Sequence, residues 1–244
     1  MDTMVLMKIN LLFLSLMILV GCATKIRTPL NRLMSPETVG GSLNTEVQMG
    51  KAGLAQGRLD VSESAPYPML VSVTEGNQYF TALSLYPSFD LFWNHFSSSN
   101  SMFGIRYQIM GTPQTSNPQG YNLGFTASIG GNEYESESDP KLKFELGGRD
   151  FSIIQSYWIW SFLSFYHSVF YSKYELTGDL SSSNDPTLDA KFNQNSTNLG
   201  TNIGAQLKLF SYNFKIEYCL NRVKWSVGKA ENITSLGMSL GATF

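Results

Sequence analysis

The last ten residues of the chain alternate strictly between apolar and small or polar side chains. The side chains of a β-strand point alternately to its two faces, so this period of two predicts a strand with one apolar and one small, polar face. The apolar face carries Leu236, Met238, Leu240, Ala242 and Phe244, and the other face carries Ser235, Gly237, Ser239, Gly241 and Thr243.

The same alternation recurs upstream, which predicts an all-β chain of about ten strands. A bulge is expected at Gly147 and Gly148, where two adjacent glycines interrupt the longest predicted strand. The upstream strands are predicted over residues 38–50, 78–86, 89–96, 101–111, 121–129, 141–160, 165–177, 197–209 and 214–221.

Residues 152–170 allow a second interpretation, because the run is apolar and aromatic enough for a membrane-spanning helix. It contains Gln155, His167 and several serines, and it is rich in aromatic residues rather than in Leu and Ala. We therefore interpret it as two strands joined by a tight turn near residues 161–164.

The connections between the predicted strands alternate in length. Counted from the N-terminus, with the first connection after the first predicted strand, three of the four even-numbered connections are tight turns, near Pro87, Leu163 and Tyr212. The other even-numbered connection, residues 112–119, is longer. The odd-numbered connections are long or polar and cover residues 51–76, 97–100, 130–140, 178–194 and 222–232. Short turns at one end and longer loops at the other are typical of membrane barrels.

The N-terminus has the pattern of an export signal. Lys8 precedes an almost wholly apolar run over residues 9–20, and the segment closes with Leu19-Val20-Gly21-Cys22. A basic start, a short apolar core and a small-residue cleavage site indicate a secretory signal peptide. In one interpretation this is an ordinary signal peptide, in which Cys22 occurs by chance.

The leader, the strand pattern and the terminal Phe244 together resemble bacterial outer-membrane β-barrel proteins, and Leu19 to Cys22 resembles a lipobox. The resemblance implies an up-and-down antiparallel transmembrane β-barrel with its apolar face toward lipid. It also implies acylation of Cys22, with the lipid anchor on the periplasmic side, and a role for Phe244 as the assembly signal. The implied parts are a lipoprotein signal peptide (1–21), a periplasmic tether (22–37) and the barrel (38–244). The implied partners are the outer-membrane assembly machinery, outer-membrane lipid and lipopolysaccharide.

A soluble periplasmic β-domain is the alternative architecture, since alternation within each strand would look the same in a β-sandwich. The leader, Phe244, the loop asymmetry and the aromatic content favour the barrel. The 12 Tyr and 16 Phe residues suit the aromatic girdles of a membrane barrel.

Charge and cysteine content exclude some functions. The formal net charge of −2 argues against nucleic acid as a partner, because that would call for a basic surface. Cys219 is the second of 2 cysteines, so acylation of Cys22 would leave no intramolecular disulfide.

The predicted lumen face carries ionisable residues of both signs. A barrel of about ten strands has a narrow interior that side chains largely fill. Buried charges must pair or be hydrated, so these residues form either a network that closes the lumen or the lining of a small-solute channel. They are Glu46, Asp90, Arg106, Lys173, Glu175, Lys208, Lys215 and Glu217.

An outer-membrane enzyme, such as a protease or a lipid-modifying hydrolase, is the alternative function. His95 and His167 are the 2 histidines, and they are expected at opposite ends of the barrel. His95 could serve a site at the outer rim with an acid from a loop, for which Asp179, Asp185 and Asp189 are the candidates. No nucleophile motif, zinc-ligand spacing or phosphate-binding loop is visible, so we predict neither a catalytic residue nor a cofactor.

One acidic run could hold a divalent cation, since Glu133, Glu135, Glu137 and Asp139 would share a face if extended. Such runs are more often solvated loops, and no metal site is predicted.

Overall fold

The computed structural model describes residues 24–59, 68–97, 99–135, 141–181, 189–226 and 229–244. Eleven strands lie within them, and residues 114–116 form a single 3₁₀ turn. None of the described helices has the length and apolar character needed to cross a membrane. The strands are β1 (Thr24–Pro29), β2 (Thr45–Leu59), β3 (Pro68–Tyr86), β4 (Phe89–Phe96), β5 (Ser101–Met110), β6 (Gly120–Glu135), β7 (Lys141–Trp160), β8 (Leu163–Ser181), β9 (Ala190–Leu209), β10 (Tyr212–Trp225) and β11 (Glu231–Thr243).

Strands β2 to β11 form a closed antiparallel barrel. Each pairs with its neighbour in sequence, and β11 pairs with β2 from Met238 opposite Lys51 to Thr243 opposite Glu46. This confirms the predicted up-and-down barrel of ten strands. Residues 152–170 form parts of β7 and β8 joined by a turn at residues 161–162, as the aromatic composition indicated.

The apolar faces of the strands point away from the barrel interior. On β11, Leu236 and Leu240 expose 53% and 56% of their surface, whereas Ser239 exposes 2%. The same holds around the barrel, where Phe103, Ile129, Ile153 and similar side chains form a continuous outward apolar surface. We call it the belt. A closed barrel with such a belt satisfies its backbone internally and presents hydrocarbon to its surroundings, as a transmembrane barrel must.

The two ends of the barrel differ as the sequence predicts. The turns at residues 87–88, 161–162 and 210–211 lie at one end together with Thr45 and Phe244, and we call this the turn end. The longer connection over residues 111–119 lies at the same end, and the remaining five connections lie at the opposite end, which we call the loop end. Both termini of the closed barrel therefore lie at the turn end.

Strands β6 to β10 continue well past the belt at the loop end. On β7, the outward side chains change from Phe151 and Ile153 to Arg149, Glu145 and Lys143. A membrane needs about 9–11 residues of a tilted strand, whereas β7 has 20. The extra length forms a polar-surfaced extension, which we call the projection: the parts of β6 to β10 on the loop-end side of Ile129, Phe151, Tyr171, Leu199 and Leu220.

Several predicted strand limits are too short. Much of the predicted loop 51–76 is strand, because β2 extends to Leu59 and β3 begins at Pro68. The predicted bulge at Gly147 and Gly148 is absent, since both glycines pair in unbroken register with β6 and β8. A register shift occurs instead between Trp158 and Trp160, beside the tight turn.

The N-terminal part differs most from the prediction. Residues 22–37 were expected as a tether outside the barrel, and the barrel was expected to begin at residue 38. The structure places residues 24–29 in β1, paired with the loop-end half of β2. Residues 30–40, which we call the lumen segment, are all buried and hydrogen bond to the inner wall of the barrel. The first barrel strand therefore begins at Thr45.

Candidate functional site

The lumen segment runs the length of the barrel interior. It starts beside β2, where the backbone N–H of Leu30 donates to the carbonyl oxygen of Gly53 at 2.9 Å. It ends at the turn end, where the N–H of Val39 donates to Asp90 at 3.0 Å. No regular strand pairing continues beyond Pro29, so side chains of the wall satisfy much of its backbone.

Glu217 of β10 holds the middle of the lumen segment. Its carboxylate accepts the backbone N–H groups of Arg32 at 2.8 Å and Leu33 at 3.0 Å, and the Asn31 amide at 3.3 Å. Leu33 has a φ of 53°, an unusual left-handed conformation for a branched residue. The two adjacent N–H donors can both reach one carboxylate, which stabilises this turn of the segment.

The side chain of Arg32 connects the lumen segment to the opposite wall. Its guanidinium donates to Asp150 of β7 and to Ser172 of β8, each at 2.5 Å. The same group lies 3.4 Å from the ring centroid of Phe170, in cation–π contact. Arg32 and Glu217 together join the segment to three strands.

A buried ion network lies nearer the turn end. Arg106 contacts Asp90 at 2.6 Å and Glu46 at 2.9 Å, and Lys215 contacts Glu46 at 3.2 Å. All four side chains are fully buried, and their formal charges cancel. Since Asp90 also accepts the N–H of Val39, the network binds the lumen segment as well as the wall.

The longest turn-end connection closes the mouth of the barrel. The side-chain amide of Gln114, which is fully buried, donates to the Glu37 carbonyl at 3.3 Å and to Glu46 at 3.2 Å. Its backbone N–H donates to Thr38 at 2.9 Å, and Lys208 donates to its carbonyl. This contact explains why residues 111–119 are longer than the other turns at this end.

Apolar side chains close the loop end of the lumen. Ile26 and Leu30, exposed by 1% and 0%, pack into a cluster inside the projection. The cluster includes Phe144, Leu146, Phe170, Tyr174, Leu176, Phe192, Val223 and Trp225. The lumen segment therefore occupies the interior of the described barrel from one end to the other, with ion pairs around it toward the turn end and apolar side chains around it toward the loop end.

One side of the lumen keeps polar atoms without a protein partner among the described residues. They include side-chain atoms of Asn198, Asn202 and Gln206 on β9 and of Asn221 on β10. Buried amides of this kind are usually satisfied by internal water. These side chains form a polar strip along the β9 and β10 side of the lumen.

The predicted lumen residues divide into two groups. The structure places Glu46, Asp90, Arg106, Lys215 and Glu217 in the interior, and Lys208 half-buried at the turn-end mouth. Lys173 and Glu175 were predicted wrongly, because they lie on the outward face of β8 and pair with each other at 2.8 Å. The inward face of β8 carries Ser172 and Tyr174 instead, so the error is one of strand parity.

Of the two cysteines, only Cys219 lies within the described residues. The signal peptide and Cys22 lie outside the described residues. Cys219 is buried, and its thiol lies 3.3 Å from the Leu30 carbonyl oxygen.

Neither histidine faces the lumen. The Nδ1 atom of His95 is 2.8 Å from the Ser101 hydroxyl, and its ring stacks on Trp93 with centroids 5.5 Å apart. Its proposed partner Asp179 lies on β8, four strands away, beside Lys191 at 4.0 Å. Asp185 lies outside the described residues. His167 lies on the outward face of β8, with Nε2 2.7 Å from the Thr201 hydroxyl.

The acidic run is only partly described. Glu133 and Glu135 are exposed at the end of β6, while Glu137 and Asp139 lie outside the described residues. Among the residues that the structure covers, no three His, Cys, Asp or Glu side chains form a group suited to a metal ion.

Basic residues follow the loop-end border of the belt. Arg149, Lys173 and Lys224 lie in one register row, in which Thr197 separates the two lysines. Arg222 lies two residues before Lys224 on the same face of β10. We call these four cations the basic row. Arg149, Lys173 and Arg222 are the first outward-facing charged side chains beyond Phe151, Tyr171 and Leu220 on their strands.

The last residue extends the seam between β11 and β2. Phe244 and Thr45 exchange backbone hydrogen bonds of 2.9 and 3.0 Å, while the Phe244 side chain is 71% exposed. Its role as an assembly signal stays a prediction.

These features define the class as a transmembrane β-barrel with a filled lumen. No protein-family model matches the chain, and no curated protein matches it. Similar solved structures include Ail, the attachment invasion locus protein of Yersinia pestis, with 11% identity and a TM-score of 0.38 over 84% of this chain and 100% of that chain. Ail in complex with the heparin analogue sucrose octasulfate gives 10% identity and a TM-score of 0.37 over the same shares. Neisserial surface protein A gives 15% identity and a TM-score of 0.37 over 82% of this chain and 95% of that chain. Likeness this slight carries no argument about a ligand or partner.

Proposed function

We propose that this protein is a non-enzymatic barrel of the bacterial outer membrane that is closed to solutes and presents its projection at the cell surface. The observation that carries the proposal is the lumen segment, bound by Glu217, Asp90 and the 111–119 connection. Of the two predicted roles for the lumen charges, this favours a network that closes the barrel over the lining of a channel.

The orientation follows from the two ends. Outer-membrane barrels place short turns in the periplasm and longer loops outside. The turn end is then periplasmic, and the loop end with the projection is extracellular. Acylation of Cys22 belongs to the proposal and rests on the lipobox resemblance; replacing Cys22 with Ser is expected to remove acyl labelling.

The basic row supports the predicted contact with lipopolysaccharide. In the proposed orientation, its four cations lie where the belt gives way to the polar outer surface. Phosphate groups of outer-leaflet glycolipid would be within reach of Arg149 and Lys173, and cation–phosphate hydrogen bonds are among the stronger polar contacts. Neutralising the row should reduce glycolipid copurification, whereas neutralising Lys143 and Lys191, farther out on the projection, should not.

The projection is the best candidate for a surface-interaction role. It encloses an apolar cluster that Ile26 and Leu30 complete, and its outer surface is charged, so it can keep a fixed shape beyond the membrane. Its rim has a cleft of about 430 Å³ lined by residues of both charges, including Lys143, Glu145, Asp179 and Lys191. Loops and rims on a rigid scaffold are where binding commonly occurs.

The enzyme alternative has less support. The histidines face outward on separate strands, and His95 is placed among aromatic rings of the belt border. That setting suits an interfacial aromatic residue, with an apolar body and a polar tip.

Single-channel conductance tests the closed lumen. The intact protein, with folding verified by heat-modifiable gel mobility, is expected to insert in planar bilayers without discrete current steps. A variant lacking residues 24–40 is the matched opening control and should conduct, because it removes the segment that occupies the lumen together with Ile26 and Leu30 of the apolar cluster. Reproducible steps from the intact protein would overturn the proposal.

A further inference from the structure

We propose that the lumen segment carries the N-terminal end of the described chain outward through the barrel, so that Thr24 and whatever precedes it are displayed at the extracellular surface. The inference rests on the membrane orientation of the proposed function. It places the anchoring residue Cys22 on the opposite side of the membrane from the periplasmic tether that the lipobox resemblance implies.

The direction of the segment is fixed by strand pairing. β1 is antiparallel to β2, with Thr24 opposite Leu59 and Pro29 opposite Leu54. Leu59 is the loop-end limit of β2, whereas Thr45 at the start of β2 bonds to Phe244 at the turn end. The chain therefore descends from the loop end to the turn end before it enters the barrel wall.

The hydrogen bonds of the lumen segment argue against an alternative arrangement, in which the segment leaves the lumen on the periplasmic side. Its withdrawal would remove the N–H donors from Glu217 and Asp90 and the guanidinium from Asp150. Buried carboxylates left without their donors are costly. It would also expose the apolar cluster that Ile26 and Leu30 complete.

The position of Thr24 limits where an acyl chain on Cys22 can be. Consecutive Cα atoms are about 3.8 Å apart, so two residues reach at most about 7.6 Å from Thr24. The filled lumen leaves no path for a diacylglyceryl group back to the periplasmic leaflet. A lipid on Cys22 would therefore lie on the extracellular side of the barrel.

Labelling of intact cells with a membrane-impermeant maleimide tests the display. Lys25→Cys is the test variant, because Lys25 is exposed near the start of β1. Thr177→Cys on the projection is the extracellular control, and Ser211→Cys in a tight turn is the periplasmic control; both positions are exposed. The buried Cys219 in the parent chain measures background labelling.

The expected result is that Lys25→Cys labels on intact cells to the extent that Thr177→Cys does, and that Ser211→Cys labels only after the cells are opened. Lys25→Cys labelling only in opened cells, while Thr177→Cys labels from outside, overturns the inference and leaves the proposed orientation intact. If Thr177→Cys itself requires opened cells, the proposed orientation is wrong.

A second measurement follows the lipid. A variant with a specific protease site inserted between Ala23 and Thr24 is expressed in cells fed an alkyne fatty acid. Protease added outside intact cells should remove the acyl label from a barrel that stays folded. Retention of the label on intact cells, with its loss after the cells are opened, would place the anchor in the periplasm.

Discussion

The Glu217 carboxylate, on a barrel strand, accepts the backbone N–H of Arg32, on the segment inside the barrel, at 2.8 Å. The two residues are 185 positions apart in sequence. Because Leu33 donates to the same carboxylate, one side chain fixes two consecutive peptide groups. The lumen segment is thus held as part of the barrel interior.

Glu217→Gln is expected to destabilise the barrel by about 1–3 kcal/mol, because an amide offers only one acceptor atom to the two N–H donors. The thermal transition of heat-modifiable gel mobility measures the change. Glu175→Gln is the matched control, since Glu175 is an outward, half-exposed residue paired with Lys173, and no measurable change is expected there. Equal transitions for the two variants would show that Glu217 does not hold the segment.

Arg106→Met should cost about 3–5 kcal/mol, because it leaves Asp90 buried without its cation and Glu46 with Lys215 alone. Urea unfolding in detergent micelles measures the loss. The double variant Arg106→Met with Asp90→Asn should recover part of it, since the second change removes the unpaired charge. Additive losses in the double variant would mean that the two residues are not coupled.

The barrel itself was predictable from the sequence, and the reason is geometric. Alternation such as that of residues 235–244 needs no knowledge of distant contacts, and it placed apolar side chains outward on almost every strand. Lys173 and Glu175 were assigned to the wrong face of their strand, because the prediction took charged residues to face the lumen. On a strand that leaves the membrane, the outward face is also wetted, so charge no longer distinguishes the two faces.

The lumen segment was not predictable from periodicity. Its conformation has no period, because wall side chains rather than a neighbouring strand satisfy its backbone. A weak signal was present, since Leu30, Leu33 and Val39 are more apolar than a solvated tether needs. The partners of Arg32 and Glu37 come from β7, β8 and β10, and no local pattern links such distant positions.

Gly40→Ala should weaken the turn-end closure. Gly40 has a φ of +81°, and an added Cβ would lie 2.3 Å from the Cβ of Pro113. Gly120→Ala is a close control, because its φ of +64° carries similar backbone strain but no atom lies within 4 Å of the added Cβ. The temperature of thermal unfolding should fall further for Gly40→Ala than for Gly120→Ala. Equal losses would assign the effect to backbone strain alone.

Deletion of Phe244 should reduce assembly, because it removes both backbone hydrogen bonds to Thr45 at the barrel seam. Phe244→Ala keeps those bonds and removes only the exposed ring. If the ring is the assembly signal, the alanine variant will also assemble poorly in cells but, once folded, will unfold at the parent temperature. Normal yield of folded barrel from both variants would remove the predicted role of this residue.

The limit of the belt can be tested on one face of one strand. Ile203, 55% exposed, lies in the belt, and Asn193 lies ten residues earlier on the same outward face of β9, in the projection. Ile203→Arg should cost about 2–4 kcal/mol if it lies near the bilayer midplane, whereas Asn193→Arg should be tolerated, because only the first side chain meets hydrocarbon. Asn202→Arg is a poorer control, since Asn202 is fully buried in a filled lumen and a larger side chain would be strained there. Folding into lipid vesicles, followed by gel mobility, measures both outward variants. Equal folding of Ile203→Arg and Asn193→Arg would show that the apolar surface of β9 does not contact lipid.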